Sequence, residues 1–193
     1  MENSDWAEKQ RALLERHHQW VSEEGGLELP VQLATYADPR QIARIEWLGQ
    51  HAEGTLLDVG CSWGYVLWAL DGNAGVDIND HLLDIARLLS PEREFVCADA
   101  QRLPFADKSF DTVVMAETLE HLPWPQGVGI ALGEAQRVAR KKILVTVPAP
   151  DGAEAESFKH QWIAGPDEQL VLKRMLGGTC HELPGFICYE VTL

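Results

Sequence analysis

The sequence is short of cysteine, short of basic residues, and without a long apolar run. Its four cysteines, Cys61, Cys97, Cys180 and Cys188, are scattered, with no CxxC pair and no histidine-rich spacing. Such spacing suggests neither a disulfide framework nor a zinc motif, and a reducing cytoplasm is the expected compartment. Apolar stretches are broken by Gly, Asp or Pro well before the roughly 20 residues that a membrane helix needs. The first twenty residues alternate acid and base and lack an apolar block, so no secretory signal is expected. Sixteen Lys+Arg stand against thirty Asp+Glu, for a net charge of −14 over 193 residues. A surface this acidic repels phosphate, so nucleic acid and anionic membranes are not expected as partners. The one basic cluster is Arg137, Arg140, Lys141 and Lys142. That cluster reads as the C-terminal end of a helix, where cations favour the dipole, with an anion-binding role as the alternative.

What is present is an ordinary globular composition, 46% hydrophobic and 24% charged, in a length that suits one domain. Residues 5–23 carry Trp6, Leu13, Leu14, His17, Trp20 and Val21 at helical spacing. Gly25, Gly26 and Pro30 break that helix. A second helix is expected after Asp38-Pro39, with Asp38 as N-cap and Ile42, Ile45 and Leu48 on one face. From residue 55 short apolar runs alternate with helical stripes. TLLDV (55–59), AGVDI (74–78), EFVCAD (94–99), FDTVVMAE (110–117) and ILVTVP (143–148) read as strands. YVLWAL (65–70), HLLDIARLL (81–89), residues 126–140 and residues 167–177 read as helices, before a terminal strand at 186–193. This alternation marks βαβ units, hence an α/β, doubly wound, mostly parallel sheet in a single domain.

The first strand runs into Leu57-Asp58-Val59-Gly60-Cys61-Ser62-Trp63-Gly64. A glycine turn between strand and helix lets a ligand approach the backbone, and it can equally serve tight packing. Asp77 ends the second strand 19 residues after Asp58, at the spacing of an acid that accepts from ribose hydroxyls. Asp99 ends the third strand 22 residues later. All these carboxyl ends open onto one crevice in such a sheet. The plainer readings are that Asp58 caps the turn, Asp77 is a surface acid, and Asp99 caps a helix.

LLDVGCSWG, GVDI, ADAQRLPFADKSFDTVVMAETLEHL and KILVTVP together resemble the class I S-adenosylmethionine-dependent methyltransferases, in particular the ubiquinone/menaquinone-biosynthesis type. The resemblance covers residues 38–150 and, more loosely, the remainder. It implies a Rossmann-like methyltransferase fold, S-adenosyl-L-methionine as cofactor, and a small-molecule acceptor. It divides the chain into an N-terminal helical lid (1–37), a cofactor-binding core (38–150), and a substrate-side loop with the last helix and strand (151–193). Asp58, Gly60, Cys61 and Gly64 match the turn around the methionine half of the cofactor. Asp77 matches the ribose acid, Ile78 the apolar neighbour of the adenine, and Asp99 and Ala100 the partners of the adenine nitrogens. Glu117 matches the position whose backbone carbonyl meets the cofactor's amino group, while Leu103, Pro104 and Phe105 match a packing motif.

Two departures stand out. The middle of the turn reads Ser62-Trp63 in place of Gly-Thr, and at positive φ a serine there adds strain of about 1 kcal/mol. Trp63 either flanks the cofactor or shields the turn. The chain after the fifth strand leaves room for few more strands, so the C-terminal antiparallel hairpin is expected to be short or abbreviated.

His121 in Glu120-His121-Leu122-Pro123 stands where a methyl acceptor would sit. It is the candidate general base, with packing or cofactor-side hydrogen bonding as the alternative. The Tyr36 hydroxyl reaches the cofactor carboxylate, or its ring merely packs. Trp124 and Trp162 border the acceptor pocket or fill the core. His160 opens a substrate-side loop or is an exposed polar residue. Cys61 and Cys97 are expected to be buried. No metal is expected. Three functions remain in play: methyl transfer in a monomer or homodimer, binding of the same cofactor without transfer, and a dinucleotide oxidoreductase. The last is weakened by the lack of GxGxxG.

Overall fold

The computed structural model describes residues 38–150 and 160–193. The expected first helix at 5–23, its glycine break and Tyr36 lie outside the described residues. Asp38 caps helix α1 (Pro39–His51), its Oδ1 accepting from the Arg40 amide at 2.8 Å, with Pro39 in the first turn. Strand β1 (Leu56–Val59) follows, then the short helix α2 (Tyr65–Ala69), β2 (Ala74–Asp77) and α3 (Asp80–Leu89). Strands β3 (Glu94–Cys97) and β4 (Phe110–Ala116) precede a single 3-10 turn at Leu119–His121. Helix α4 (Gln126–Val138) leads directly into β5 (Ala139–Pro148), and α5 (Pro166–Leu176) into a hairpin of β6 (Thr179–Leu183) and β7 (Phe186–Thr192).

The seven strands lie in the order β3-β2-β1-β4-β5-β7-β6. The first five are parallel, and β7 pairs antiparallel with both β5 and β6. The order reverses between β1 and β4, which is where a doubly wound sheet opens a crevice beyond its strand ends. The hairpin is thus present and short. Sequence reading finds β7 but not β6, whose Thr179-Cys180-His181-Glu182-Leu183 has only Cys180 and Leu183 as apolar residues, too few to betray a strand.

Helices cover both faces, so the central strands are buried on both sides and read as unbroken apolar runs. Along β4, Val113 and Met115 join the core beneath α4 and α5 with Leu132, Ala135 and Leu172. Val114 and Ala116 face the opposite core with Leu48, Leu67 and Leu83 from α1, α2 and α3. Trp63 is 2% exposed and packs 5.4 Å from the Tyr65 ring, so it belongs to this second core and its bulk does not enter the crevice.

The Leu103-Pro104-Phe105 segment is structural. The Leu103 amide donates to Glu134 at 2.8 Å, and Arg137 donates to the Leu103 and Phe105 carbonyls at 2.9 and 2.7 Å. The basic cluster is not a helix end as a whole. Only Arg137 lies in the last turn of α4, while Arg140, Lys141 and Lys142 lie on β5. Arg140 and Lys141 pair with Asp111 at 2.9 and 3.4 Å, and Lys142 pairs with Glu190 at 2.8 Å. Among the described residues, no helix is long and apolar enough to cross a membrane.

Candidate active site

The turn after β1 is built by the backbone. The amides of Gly60 and Cys61 both donate to the Val76 carbonyl, at 2.7 and 2.9 Å, which pins the turn to β2. Gly60 sits at φ +79°, and a Cβ there would lie 2.4 Å from Thr118 Oγ1, so glycine is required by both conformation and space. Gly64 adopts the left-handed conformation as the cap of α2, at φ +85°. Ser62 also has positive φ, 52°, the strained case of the two open to it. Its amide donates to Asp77 Oδ2 at 2.8 Å, which offsets part of that strain.

Asp77 therefore ties the two strand ends together, its other oxygen accepting from the Asn79 amide at 2.8 Å. Each of its oxygens keeps a further lone pair for a ligand hydroxyl. Ile78 follows and is 73% exposed, an apolar side chain left open beside the strand ends. Across the β2–β3 pair, Asp77 stands opposite Cys97, and the Ala98 amide donates to the Asp77 carbonyl at 3.0 Å. Asp99 and Ala100 follow directly. Asp99 is exposed, its Oδ1 accepting from the Gln101 amide at 2.8 Å. It caps a turn and not the helix expected of it, since no helix stands between β3 and β4, and it still faces solvent. Cys61 is buried as expected, but Cys97 is exposed, because β3 is the edge strand of the sheet.

Asp58 is 1% exposed, and its Oδ2 has no hydrogen-bond partner among the described residues. Burial pushes its carboxyl up to about 7, against the pull of the Arg44 guanidinium, and the nearby Asp77 charge adds to the rise. Arg44, itself 3% exposed, reaches in from α1 and pairs with Glu117 at 3.0 Å, with its guanidinium 5.0 Å from the Phe186 ring centre. Sequence reading of α1 follows its apolar face and misses this arginine. Glu117 directly follows β4 at φ +56°, and its amide donates to the Thr146 carbonyl at 2.9 Å. Thr118 next to it donates to the Val59 carbonyl at 2.8 Å, closing β4 onto the turn.

The other side of the crevice is a contact between two segments far apart in sequence. The Gln161 amide donates to the Glu120 carbonyl at 2.8 Å, and the Gln161 side chain donates to the His121 carbonyl at 2.6 Å. Trp162 Nε1 donates to the Leu119 carbonyl at 3.1 Å, and its ring lies 4.6 Å from that of Trp124. The His121 and His160 rings meet edge to face at 5.1 Å. Residues 160–162 thus dock over the 3-10 turn and gather Trp124, His160 and Trp162 around it. His121 is exposed there, while its neighbour Glu120 is 1% exposed. Sequence reading singles out the histidine and passes over the buried glutamate beside it. Glu120, His121 and His160 bring potential ligand atoms within 4.8 Å of one another, a grouping able to hold a divalent cation although none is expected from the sequence.

Residues 57–145 match the methyltransferase domain family. The chain is 33% identical over 79 residues to a ubiquinone biosynthesis O-methyltransferase of Coxiella burnetii, covering 37% of this chain and 34% of that one. It is 35% identical over 95 residues to a demethylmenaquinone methyltransferase of Roseiflexus, covering 45% of this chain and 39% of that one. The matched parts span between a third and two-fifths of these curated relatives. The fold is similar to the crystal structure of a SAM-dependent methyltransferase from Archaeoglobus fulgidus, with a TM-score of 0.63 at 18% identity over 82% of this chain and 96% of that one. The cofactor that this domain and fold imply is S-adenosylmethionine, and the site fits it. A glycine turn offers backbone, Asp77 offers a carboxylate with lone pairs to spare, Ile78 offers an open apolar face, and the unpartnered Asp58 oxygen lies at the turn. Residues 57–145 therefore match the methyltransferase domain family, in a fold similar to that of the S-adenosylmethionine-dependent methyltransferases.

Proposed function

We propose that the protein transfers a methyl group from S-adenosylmethionine to a small-molecule acceptor by in-line displacement. The observation that carries this reading is the crevice at the β1–β4 reversal. The Gly60 turn, Asp77 and Ile78 stand on one side of it, and Glu120, His121 and His160 on the other. Bound there, S-adenosylmethionine supplies a methyl group already activated on a sulfonium sulfur. The chain's own work is alignment and exclusion of water. Gly60, Cys61 and Gly64 present backbone to the amino-acid half, with the Glu117 carbonyl at the end of β4. Asp77 accepts from the ribose hydroxyls. Ile78, Asp99 and Ala100 receive the base. Tyr36 is proposed to cover the amino-acid end, and residues 1–37 to act as the lid.

On the acceptor side, Trp124, His160 and Trp162 form the wall, and His121 takes a proton from an acceptor hydroxyl as the new bond forms. The two curated relatives are named for ubiquinone biosynthesis and for demethylmenaquinone, which makes a phenol or quinol the first acceptor class to test. The features that favoured binding without transfer lose their weight: Trp63 lies in the core, and the terminal hairpin is formed. We further propose that the protein works in the cytoplasm as a monomer or homodimer. The test is transfer of labelled methyl from S-adenosylmethionine to a panel of catechols and hydroquinones, with calorimetry against S-adenosylhomocysteine alongside. Acceptor-dependent release of S-adenosylhomocysteine is the expected result. A protein that fails to bind S-adenosylhomocysteine at all would falsify the reading.

A further inference from the structure

A second cluster of metal-binding side chains lies away from the crevice, where the C-terminal end of α1 meets the terminal hairpin. His51 is the last residue of α1, His181 lies on β6, and Glu190 lies on β7. One ligand atom from each lies within 4.8 Å of the others. We propose that His51, His181 and Glu190 bind a divalent transition metal of the zinc class, which clips α1 to the β6–β7 hairpin.

Three observations carry this, none of which depends on methyl transfer. First, His51 Nδ1 lies 2.7 Å from the Trp47 carbonyl. A carbonyl only accepts, so Nδ1 carries a proton, and the neutral ring then presents the Nε2 lone pair, the arrangement of a metal-ligating histidine held by a backbone oxygen. Second, that Nε2 faces Glu190 Oε2 at 3.8 Å, too far for a hydrogen bond. Ligands at about 2.0–2.2 Å from a tetrahedral zinc stand roughly 3.3–3.5 Å apart, so only a few tenths of an ångström separate this gap from a metal-bound one. Third, His181 Nε2 is buried and has no hydrogen-bond partner among the described residues. A metal is the partner that satisfies a buried imidazole nitrogen and an opposed carboxylate together.

The surroundings hold the three groups in place without a metal. The Trp47 ring stacks on His51 at 4.5 Å and lies 5.6 Å from the His181 ring. Lys142 donates to Glu190 Oε1 at 2.8 Å and to the His51 carbonyl at 3.2 Å. This leaves Glu190 Oε2 as the oxygen turned toward the imidazole. Two nitrogens and one oxygen leave a fourth position for water, a donor set suited to Zn²⁺ and unsuited to Mg²⁺ or Ca²⁺.

The experiment is a Zn²⁺ titration of the tag-free, reduced protein by calorimetry and by thermal melting. It compares the wild type with His51→Gln, His181→Gln and, as the control for the crevice grouping, Glu120→Gln. The expected result is that each histidine variant loses one equivalent of bound Zn²⁺. A zinc-dependent rise in Tm of about 5 °C should vanish with it. Glu120→Gln should keep both. Unchanged stoichiometry and an unchanged Tm response in the histidine variants overturn the proposal. Should a histidine variant fail to fold, wild-type crystals soaked in Zn²⁺ decide. An anomalous peak about 2.0–2.2 Å from an imidazole nitrogen of His51 and His181 supports the site. Peaks confined to Glu120, His121 and His160, or to the cysteines, overturn it.

Discussion

The two sides of the crevice are built by different means. On the cofactor side, order comes from backbone groups close in sequence: Gly60 and Cys61 donate to Val76, and Ser62 and Asn79 donate to Asp77. The partners in these four bonds all lie between residues 60 and 79, and one longer tie, from Thr118 to the Val59 carbonyl, joins them to β4. On the acceptor side, order comes from two segments some 40 residues apart, joined through Gln161 and Trp162 to the 3-10 turn. A local backbone lattice tolerates few substitutions and fixes one ligand. A contact between distant loops can be rebuilt without disturbing the strands, so the acceptor can change while the cofactor stays. If that division is real, substitutions on one side should leave the other side's measurement alone.

The sharpest test is on the acceptor side. His121→Gln should slow methyl transfer by about 10²–10⁴-fold, the range for loss of a positioned base. Affinity for S-adenosylhomocysteine should change little, and the pH dependence of transfer should flatten. Much weaker cofactor binding with an unchanged pH profile would move His121 to the cofactor side and break the comparison. Glu120→Gln, run in parallel, shows whether the buried carboxylate or the exposed imidazole carries the role.

On the cofactor side, Asp58 predicts an effect on stability with a definite sign. Its carboxyl titrates near 3.8 when unfolded and about 7 when folded. Between those values the folded chain holds a proton that the unfolded chain has released, so stability falls as pH rises across the window. The effect is fully developed above pH 7 and corresponds to about 4 kcal/mol at most, at 1.36 kcal/mol per unit. Asp58→Asn removes the titrating group. The variant should lose this pH dependence in urea unfolding between pH 4.5 and 7.5, while the wild type shows it. Parallel curves for the two proteins would mean that the carboxyl is ionised in the folded state.

Asp77→Ala should weaken S-adenosylhomocysteine binding by about 30- to 1000-fold, from two lost hydrogen bonds to a charged acceptor. The structure adds that the Ser62 amide loses its partner too, so the Gly60 turn loosens as well. Asp77→Asn keeps an oxygen for that amide and should recover part of the stability but less of the affinity. Calorimetry showing unchanged affinity in Asp77→Ala would remove the residue from the site.

These tests also mark what was legible in the sequence. Asp58, Gly60, Asp77 and Asp99 could be found because a parallel strand, a tight turn and a second strand impose regular spacing, and a strand-end acid has few other places to be. Arg44, Glu120 and β6 could not. Arg44 occupies a position on α1 that periodicity assigns to no apolar stripe, and its role depends on Glu117, which lies on another element. Glu120 lies where residues 160–162 dock, and its backbone meets Gln161 from some 40 residues away. β6 exists because β7 offers it an edge, not because of its own composition. The error over Cys97 has the same origin, since nothing local says that β3 is an edge strand.

The smallest expected effect tests the seam of the acceptor side. Trp162 Nε1 donates to the Leu119 carbonyl at 3.1 Å, and its ring lies 4.6 Å from the Trp124 ring. Trp162→Phe keeps an aromatic ring against Trp124 but removes the donor, leaving the Leu119 carbonyl short of one partner beside a fully buried side chain. That should cost about 1 kcal/mol of stability, or about 2–4 °C in Tm for a domain of this size. Because the bond holds residues 160–162 over the 3-10 turn, KM for the acceptor should rise several-fold. Affinity for S-adenosylhomocysteine should stay within a factor of two, since no cofactor-side hydrogen bond passes through Trp162. A parallel loss of cofactor affinity would show that the two sides form one mechanical unit. An unchanged KM together with the lower Tm would show that the seam holds the fold and takes no part in placing the acceptor.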